Sequence, residues 1–117
     1  MRCETILAVP NPYPVVINCR DRIAPLRKLI GWLERHGHQR IVLVGNASTY
    51  PPLLRYLERT KHTVVRLDRN TGHLAPWEAS VIDIHIGPDE YYVETDCDVV
   101  PESFCPGDVL DLLRQVL

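Results

Sequence analysis

Short runs of β-branched and aromatic residues alternate with amphipathic stretches along this chain of 117 residues. Compact apolar runs bounded by polar, proline or glycine residues are typical of buried strands. Such runs predict four strands, at Val15–Ile17, Ile41–Val44, Thr63–Leu67 and Tyr91–Thr95.

The segments between and after these strands carry helical patterns. Pro25 suits a first helical turn, apolar residues then recur at intervals of three and four, and Gly37 ends the helix. Pro51 and Pro52 open a second helix. Two further helical stripes are predicted, one from Leu74, Trp77, Val81 and Ile84 and one from Val109, Leu112, Leu113 and Val116.

Strands that alternate with helices predict a mostly parallel sheet built from right-handed β-α-β units. We therefore expect an α/β fold of the three-layer, Rossmann-like kind, with helices on both faces of the sheet. No internal repeat or linker interrupts the pattern, so residues 1–117 are predicted to form a single domain.

The composition argues against several classes of protein. Apolar residues make up 45% of the chain and charged residues 24%, as in ordinary soluble domains. No apolar run approaches the ~20 residues that cross a bilayer, and the N-terminus is a poor secretory signal. The basic residues are scattered with few aromatic neighbours, which argues against nucleic-acid binding. We expect a cytoplasmic protein that does not span a membrane.

The charges are distributed unevenly along the chain. Residues 1–69 contain 12 Lys or Arg and five Asp or Glu, whereas residues 70–117 contain one basic residue and ten acidic residues. A basic part facing an acidic part could hold phosphates on arginines and a metal ion on carboxylates. Solvated faces, or charge pairing within the fold, explain the same asymmetry equally well.

Two aspartates follow the last predicted strand. Asp96 and Asp98 are separated by one residue, a D-x-D spacing that suggests two carboxylates holding a divalent cation at a strand end. Oxygen ligands favour Mg²⁺ or Mn²⁺ over zinc. The alternative is a polar β-turn with solvated acids, because this spacing is short and common.

Polar residues able to bind a ligand follow every predicted strand. In open α/β sheets, ligands bind outside the carboxyl ends of the strands. The sequence therefore predicts a ligand site where these groups meet: Arg20, Asp21 and Arg22; Asn46 and Ser48; Asp68 and Asn70; Asp96 and Asp98.

The order VVINCRDR, IVLVGNAST, VVRLDRNTG and YYVETDCDVVP resembles the nucleotide-sugar-binding half of GT-A-fold glycosyltransferases, closest to the family-2-like inverting enzymes. The resemblance covers about residues 14–117. It implies a UDP-sugar-type ligand with Mn²⁺ or Mg²⁺, with Asp98 as the principal metal ligand and Asp96 nearer the ribose or sugar. It also implies that the loops at 20–22 and 46–49 border the nucleotide, and Asn70 and Gly72 match the N-x-G element of the family.

Two departures from the family pattern limit what the resemblance implies. Gly45 and Tyr50 stand where acidic residues that contact the nucleotide are usual, and the chain ends one helix after the D-x-D. An inverting transfer needs a general base, and no segment remains to supply one. Glu102 and Asp108 are available acids, but helix capping and solvation are their ordinary explanation. We expect a domain that lacks the acceptor-binding half, is incomplete for hexosyl transfer alone, and forms a homo-oligomer or needs a complementing chain. The alternative is a non-catalytic oligomerising interaction module on a degenerate GT-A-like fold.

Overall fold

Four parallel strands form one sheet at the centre of the molecule. A computed structural model describes residues 13–77, 81–88 and 90–116. The strands are β1 (Val15–Cys19), β2 (Ile41–Asn46), β3 (Thr63–Leu67) and β4 (Val93–Asp96). They lie side by side in the order β3-β2-β1-β4, and all three neighbouring pairs are parallel. The predicted α/β, Rossmann-like sheet is confirmed.

The helices lie between or after these strands, in the positions that parallel pairing requires. They are α1 (Ala24–Arg35), α2 (Pro51–Arg59), α3 (Val81–His85) and α4 (Val109–Gln115), with a short 3₁₀ helix at Gly72–Leu74. Proline opens both α1 and α2. At a helix start its missing N–H group costs nothing and its fixed φ angle is already helical.

The core has two halves, one on each face of the sheet. Val15 and Ile17 of β1 contribute to a cluster with α1 and α2, and Val16 contributes to a second cluster with Ala75 and Val81. This division follows from the alternation of side chains along a strand. Val16 and Ile17 are both completely buried, as expected for a central strand of a parallel sheet covered on both faces.

Two of the predicted helical stripes do not pack as predicted. Leu74, Trp77 and Ile84 are 49%, 49% and 69% exposed, and Val81 alone of that stripe is buried. The 3₁₀ helix and α3 are separate short elements, so no continuous helical face aligns these side chains. In α4, Val109 packs against the core as its place in the stripe predicts, and Leu110 joins it there. The other three members of the stripe, Leu112, Leu113 and Val116, are exposed.

The direction in which the chain adds strands to the sheet reverses at β1. From β1 the chain passes to β2 and then to β3 on one side, whereas β4 lies on the other side of β1. Right-handed crossovers in opposite directions place their helices on opposite faces, which agrees with α1 and α2 packing on one face and α3 on the other. The strand order therefore reverses between β1 and β4, and the carboxyl ends of these two strands mark the topological switch point of the sheet.

We predict that Gly31→Ala raises the free energy of unfolding by about 0.5–1 kcal/mol, because alanine is the better helix former. Gly31 lies inside α1, and a Cβ there would meet only the Arg35 guanidinium, at 3.4 Å. Urea denaturation measures the change.

Gly72→Ala is the matched control and is expected to destabilise the protein. No atom would obstruct the added Cβ, but the φ angle of Gly72 is +62°. A left-handed conformation costs a residue with a Cβ about 1–2 kcal/mol. Equal shifts of the two variants in the same direction would show that backbone conformation does not distinguish these two glycines.

Candidate functional site

The carboxyl ends of all four strands lie at one edge of the sheet, because all the strands are parallel. The predicted polar residues therefore share this edge. They divide into two groups by what their side chains contact. One group holds the loops together, and the other is exposed around the switch point between β1 and β4.

Asn46 belongs to the first group. It is 3% exposed at the end of β2. Its side-chain amide donates to the Gly72 carbonyl at 3.2 Å, and its side-chain oxygen accepts from the Thr71 N–H at 2.9 Å. Such local bonds satisfy backbone groups of a loop that no strand or helix would pair. Asn46 thus fixes the loop after β3 against the end of β2.

Asn70 and Gly72 also hold this loop in shape. The Asn70 side-chain oxygen accepts from the Gly72 N–H at 2.9 Å, and the Asn18 amide donates to the Gly72 carbonyl at 3.0 Å. Asn18 and Asn46 therefore share one carbonyl acceptor across two neighbouring strands. In this structure the N-x-G element shapes the loop after β3. Its glycine, Gly72, has a positive φ angle, which glycine adopts without steric cost.

Asp21 joins the loop after β1 to the start of α2. One of its carboxylate oxygens accepts from the N–H groups of Thr49 and Tyr50, at 2.7 and 2.9 Å. The Asp21 N–H donates to the Ser48 hydroxyl at 3.4 Å. The two backbone donors hold the pKa of Asp21 below its ordinary value of 3.8, because they stabilise the ionised form.

Arg22 and Asp98 meet across the switch point. The Arg22 Nη1 atom lies 3.4 Å from the Asp98 Oδ2 atom, and the two side chains are 63% and 49% exposed. Arg22 comes from the loop after β1 and Asp98 from the loop after β4, so the pair joins the ends of the two strands between which the strand order reverses. Arg20 is exposed on the same loop as Arg22.

Asp96 shares one face of β4 with Glu94. In the strand register, Glu94 lies beside Val16 and Asp96 beside Asn18. Partial burial raises the pKa of Glu94, Asp96 raises it further, and His73 opposes the shift. These electrostatic contacts join Asp96 to Glu94, whereas Asp98 contacts Arg22. Cys97, between the two aspartates, is buried toward α1 and α2.

These carboxylates suit a hard cation by their chemistry. Mg²⁺ in proteins is commonly held by one or two carboxylates, with water and substrate phosphates completing its shell. Asp96 and Asp98 offer such oxygens at the end of β4. Within the described ranges, no three His, Cys, Asp or Glu side chains form a group that could hold a metal ion. A cation at Asp96 and Asp98 stays a prediction.

Three residues of this edge were not predicted from the sequence: Asn18, Thr71 and His73. Asn18 is a polar residue that directly follows the β-branched run of β1. This was the one sign in the sequence that its side chain could have a special role. Its side-chain oxygen and the Thr71 hydroxyl are buried without a hydrogen-bond partner among the described residues. Nothing in the sequence indicated that His73 would lie near Glu94, because that proximity depends on the path of the loop after β3.

Comparisons with protein-family models, curated proteins and solved structures give no significant match. In the parts of the chain that the structure describes, no helix is long and apolar enough to cross a membrane.

We predict that Asp21→Asn lowers the urea midpoint at pH 7, because the amide replaces a carboxylate that accepts two backbone N–H groups. A depressed folded-state pKa stabilises the protein above the unfolded-state pKa and loses that effect as the pH falls through the folded value. The difference between parent and variant should therefore shrink below about pH 4 and vanish once Asp21 is protonated.

Asp68→Asn is the matched control for this prediction. Asp68 is an exposed carboxylate on the loop after β3. Its replacement should leave the urea midpoint nearly unchanged both at pH 7 and below about pH 4. An Asp21→Asn midpoint that stays a constant distance below the parent from pH 7 to pH 2 would contradict the assignment.

Proposed function

We propose that the protein binds a nucleoside diphosphate ligand of the UDP-sugar type, together with Mn²⁺ or Mg²⁺, where the loops that follow β1 and β4 meet. The observation that carries the proposal is the Arg22–Asp98 pair, which spans the switch point of a parallel sheet. Ligands of open α/β sheets bind at such points. A cation there would neutralise the charge that develops on a departing diphosphate.

The exposure of the Arg22–Asp98 pair favours this role. A solvent-exposed ion pair contributes at most about 1 kcal/mol, so separating the two side chains costs little. A diphosphate can then take the guanidinium, which suits planar phosphate recognition, while the carboxylate becomes available to a cation. Arg22 would thus bind the diphosphate, and Asp98 would bind the cation that accompanies it.

The other predicted residues divide naturally in this proposal. Arg20, on the same loop as Arg22, would contact a phosphate, and Asp96, at the end of β4, would contact the sugar or the cation. Asp21, Asn46 and Asn70, whose side chains bond to backbone groups, would act as positioning residues that hold the loops for the ligand. Ser48 and Gly72 belong to the same framework.

The proposal concerns binding and not complete hexosyl transfer. A transfer would need a general base within hydrogen-bond reach of an acceptor hydroxyl. Glu102 lies on the segment beside α1, and Asp108 precedes α4. Among the described residues, neither side chain has a contact that marks it as a base, so none is assigned.

The expected association with a second copy or with a complementing chain also belongs to this proposal. Exposed apolar side chains on α4 support it, with Leu113 at 56% and Val116 at 80% exposure. So does the position of β4, which is an edge strand within the described residues. Exposed strand edges and apolar patches commonly mark interaction surfaces.

We predict that UDP and a UDP-sugar bind in a Mn²⁺-dependent manner, and that Asp98→Ala reduces the affinity at least about tenfold. Loss of groups that hold or orient a metal commonly costs 10–100-fold in metal affinity. Isothermal titration calorimetry with and without Mn²⁺ measures the effect.

Glu102→Ala, which removes an exposed acid further along the same segment, is the control and should bind like the parent. Arg22→Gln separates the two roles of the pair. It should weaken nucleotide binding while leaving the binding of Mn²⁺ alone intact or improved, because Asp98 loses its cationic neighbour. Absence of metal-dependent nucleotide binding in the parent would reject the proposal.

A further inference from the structure

An apolar groove lies between the beginning of β4 and helix α4. Its cavity volume is about 280 Å³, and one wall comes from Tyr91, Tyr92 and Val93. The other wall comes from Leu110, Leu113 and Val116. We call this surface the β4–α4 groove. It contains Leu113 and Val116, two members of the predicted helical stripe that the structure leaves exposed.

The backbone of β4 is open beside this groove. The Val93 N–H donates to the Pro14 carbonyl at 2.9 Å, and the Cys97 N–H donates to the Asn18 carbonyl at 3.1 Å. Odd-numbered residues of β4 therefore turn their N–H and C=O groups toward β1. Since these groups alternate along a strand, the N–H and C=O groups of Glu94 and the N–H group of Asp96 point to the outer edge. The Asp96 carbonyl already accepts from the Val99 N–H at 3.4 Å and from the Thr95 hydroxyl at 3.1 Å, so an added strand would pair mainly with Glu94. Within the described residues, β4 pairs with β1 alone.

A strand added to this edge would present two different sets of side chains. One set would lie on the α4 side of the sheet, over the β4–α4 groove. The other set would lie on the opposite side, beside the carboxylates of Glu94 and Asp96. Directly opposed side chains in paired strands have Cβ atoms about 4.5–5.5 Å apart. The first set therefore meets apolar groups, and the second meets two negative charges.

The charge of this region excludes some occupants and favours others. Residues 70–117 contain ten acidic residues and a single basic one, Arg114, whose guanidinium lies over the Tyr91 ring. Pairing of β4 with β4 of a second copy would bring like carboxylates together, which is destabilising. A segment that carries lysine or arginine would instead place cations beside Glu94 and Asp96.

We propose that the edge of β4 and the β4–α4 groove together bind an extended segment of another protein in which apolar and basic residues alternate. The segment adds a fifth strand to the sheet, as in known cases of strand addition. Main-chain hydrogen bonds supply affinity, and the alternation supplies specificity. This inference rests on the association proposed above and narrows its partner. The β4–α4 groove and the Glu94 carboxylate lie outside the proposed nucleotide site, and Asp96 is the one residue that both proposals use.

The test uses a fluorescein-labelled peptide of eight residues that alternates valine and lysine, with the ends acetylated and amidated. Fluorescence anisotropy with the full chain should report saturable binding that weakens as salt is raised. A peptide with glutamate in place of lysine should bind at least about tenfold more weakly. In two further peptides the backbone amides are N-methylated, on the valines in one peptide and on the lysines in the other. Alternate amides of a strand point to opposite edges, so only the peptide whose methyl groups face β4 should lose binding.

Variants of the protein locate the site. Leu113→Asp should reduce the affinity about tenfold or more, whereas Ile84→Asp, an equally drastic change on an exposed side chain of α3, should have no effect. Glu94→Gln should weaken binding by up to about fivefold, the range of one exposed ion pair. Circular dichroism of each variant confirms that the fold is kept.

Several outcomes would overturn the proposal. They are absence of peptide binding, equal binding of the lysine and glutamate peptides, and equal binding of both N-methylated peptides. Light scattering that detects a dimer abolished by Leu113→Asp would assign the surface to a second copy instead. Calorimetry with UDP and Mn²⁺ on the same sample reports separately on the nucleotide site, so the failure of either proposal is recognised by itself.

Discussion

Every other part of this structure depends on β1, which is hydrogen bonded along both edges and buried on both faces. Val16 and Ile17 point to opposite faces and are completely buried. Full burial of one such aliphatic side chain contributes about 1.5–3 kcal/mol, and this can be obtained on both faces only if helices cover both. The covering helices require crossover connections, and these in turn bring all the strand ends to one edge of the sheet.

The loops at the carboxyl ends of the strands contain backbone N–H and C=O groups that need hydrogen-bond partners. Loops that leave a parallel sheet carry N–H and C=O groups without partners, and unpaired buried polar groups are costly. Asp21, Asn46 and Asn70 answer this need, since each accepts one or two backbone N–H groups. The groups left for a ligand are the exposed ones beside the switch point, Arg22 and Asp98. The division between framework and binding residues follows from burial and geometry.

The outer edge of β4, which faces away from β1, differs in character from the carboxyl ends of the strands. There the sheet ends within the described residues, α4 turns part of its apolar surface outward, and the surrounding sequence is strongly acidic. Carboxylates on one face of β4 and an apolar groove on the other select against a second identical surface and for a segment that alternates basic and apolar residues. The same carboxylates that repel one another along β4 therefore give this edge its specificity.

The strands, their parallel arrangement and the meeting of polar loops at one edge could all be predicted from the amino-acid sequence, because hydrophobic periodicity and punctuation by proline and glycine are local signals. Which side chains meet became known only from the folded chain. Asp96 shares a face with Glu94 while Asp98 contacts Arg22, and Asp21 is engaged by the backbone at the start of α2. Likewise, Val109 and Leu110 turn inward, although the spacing of Leu112, Leu113 and Val116 was equally compatible with that role. The partners of a loop carboxylate, and the buried face of a short helix, depend on loop paths and on packing between distant segments, and neither leaves a periodic mark on the sequence.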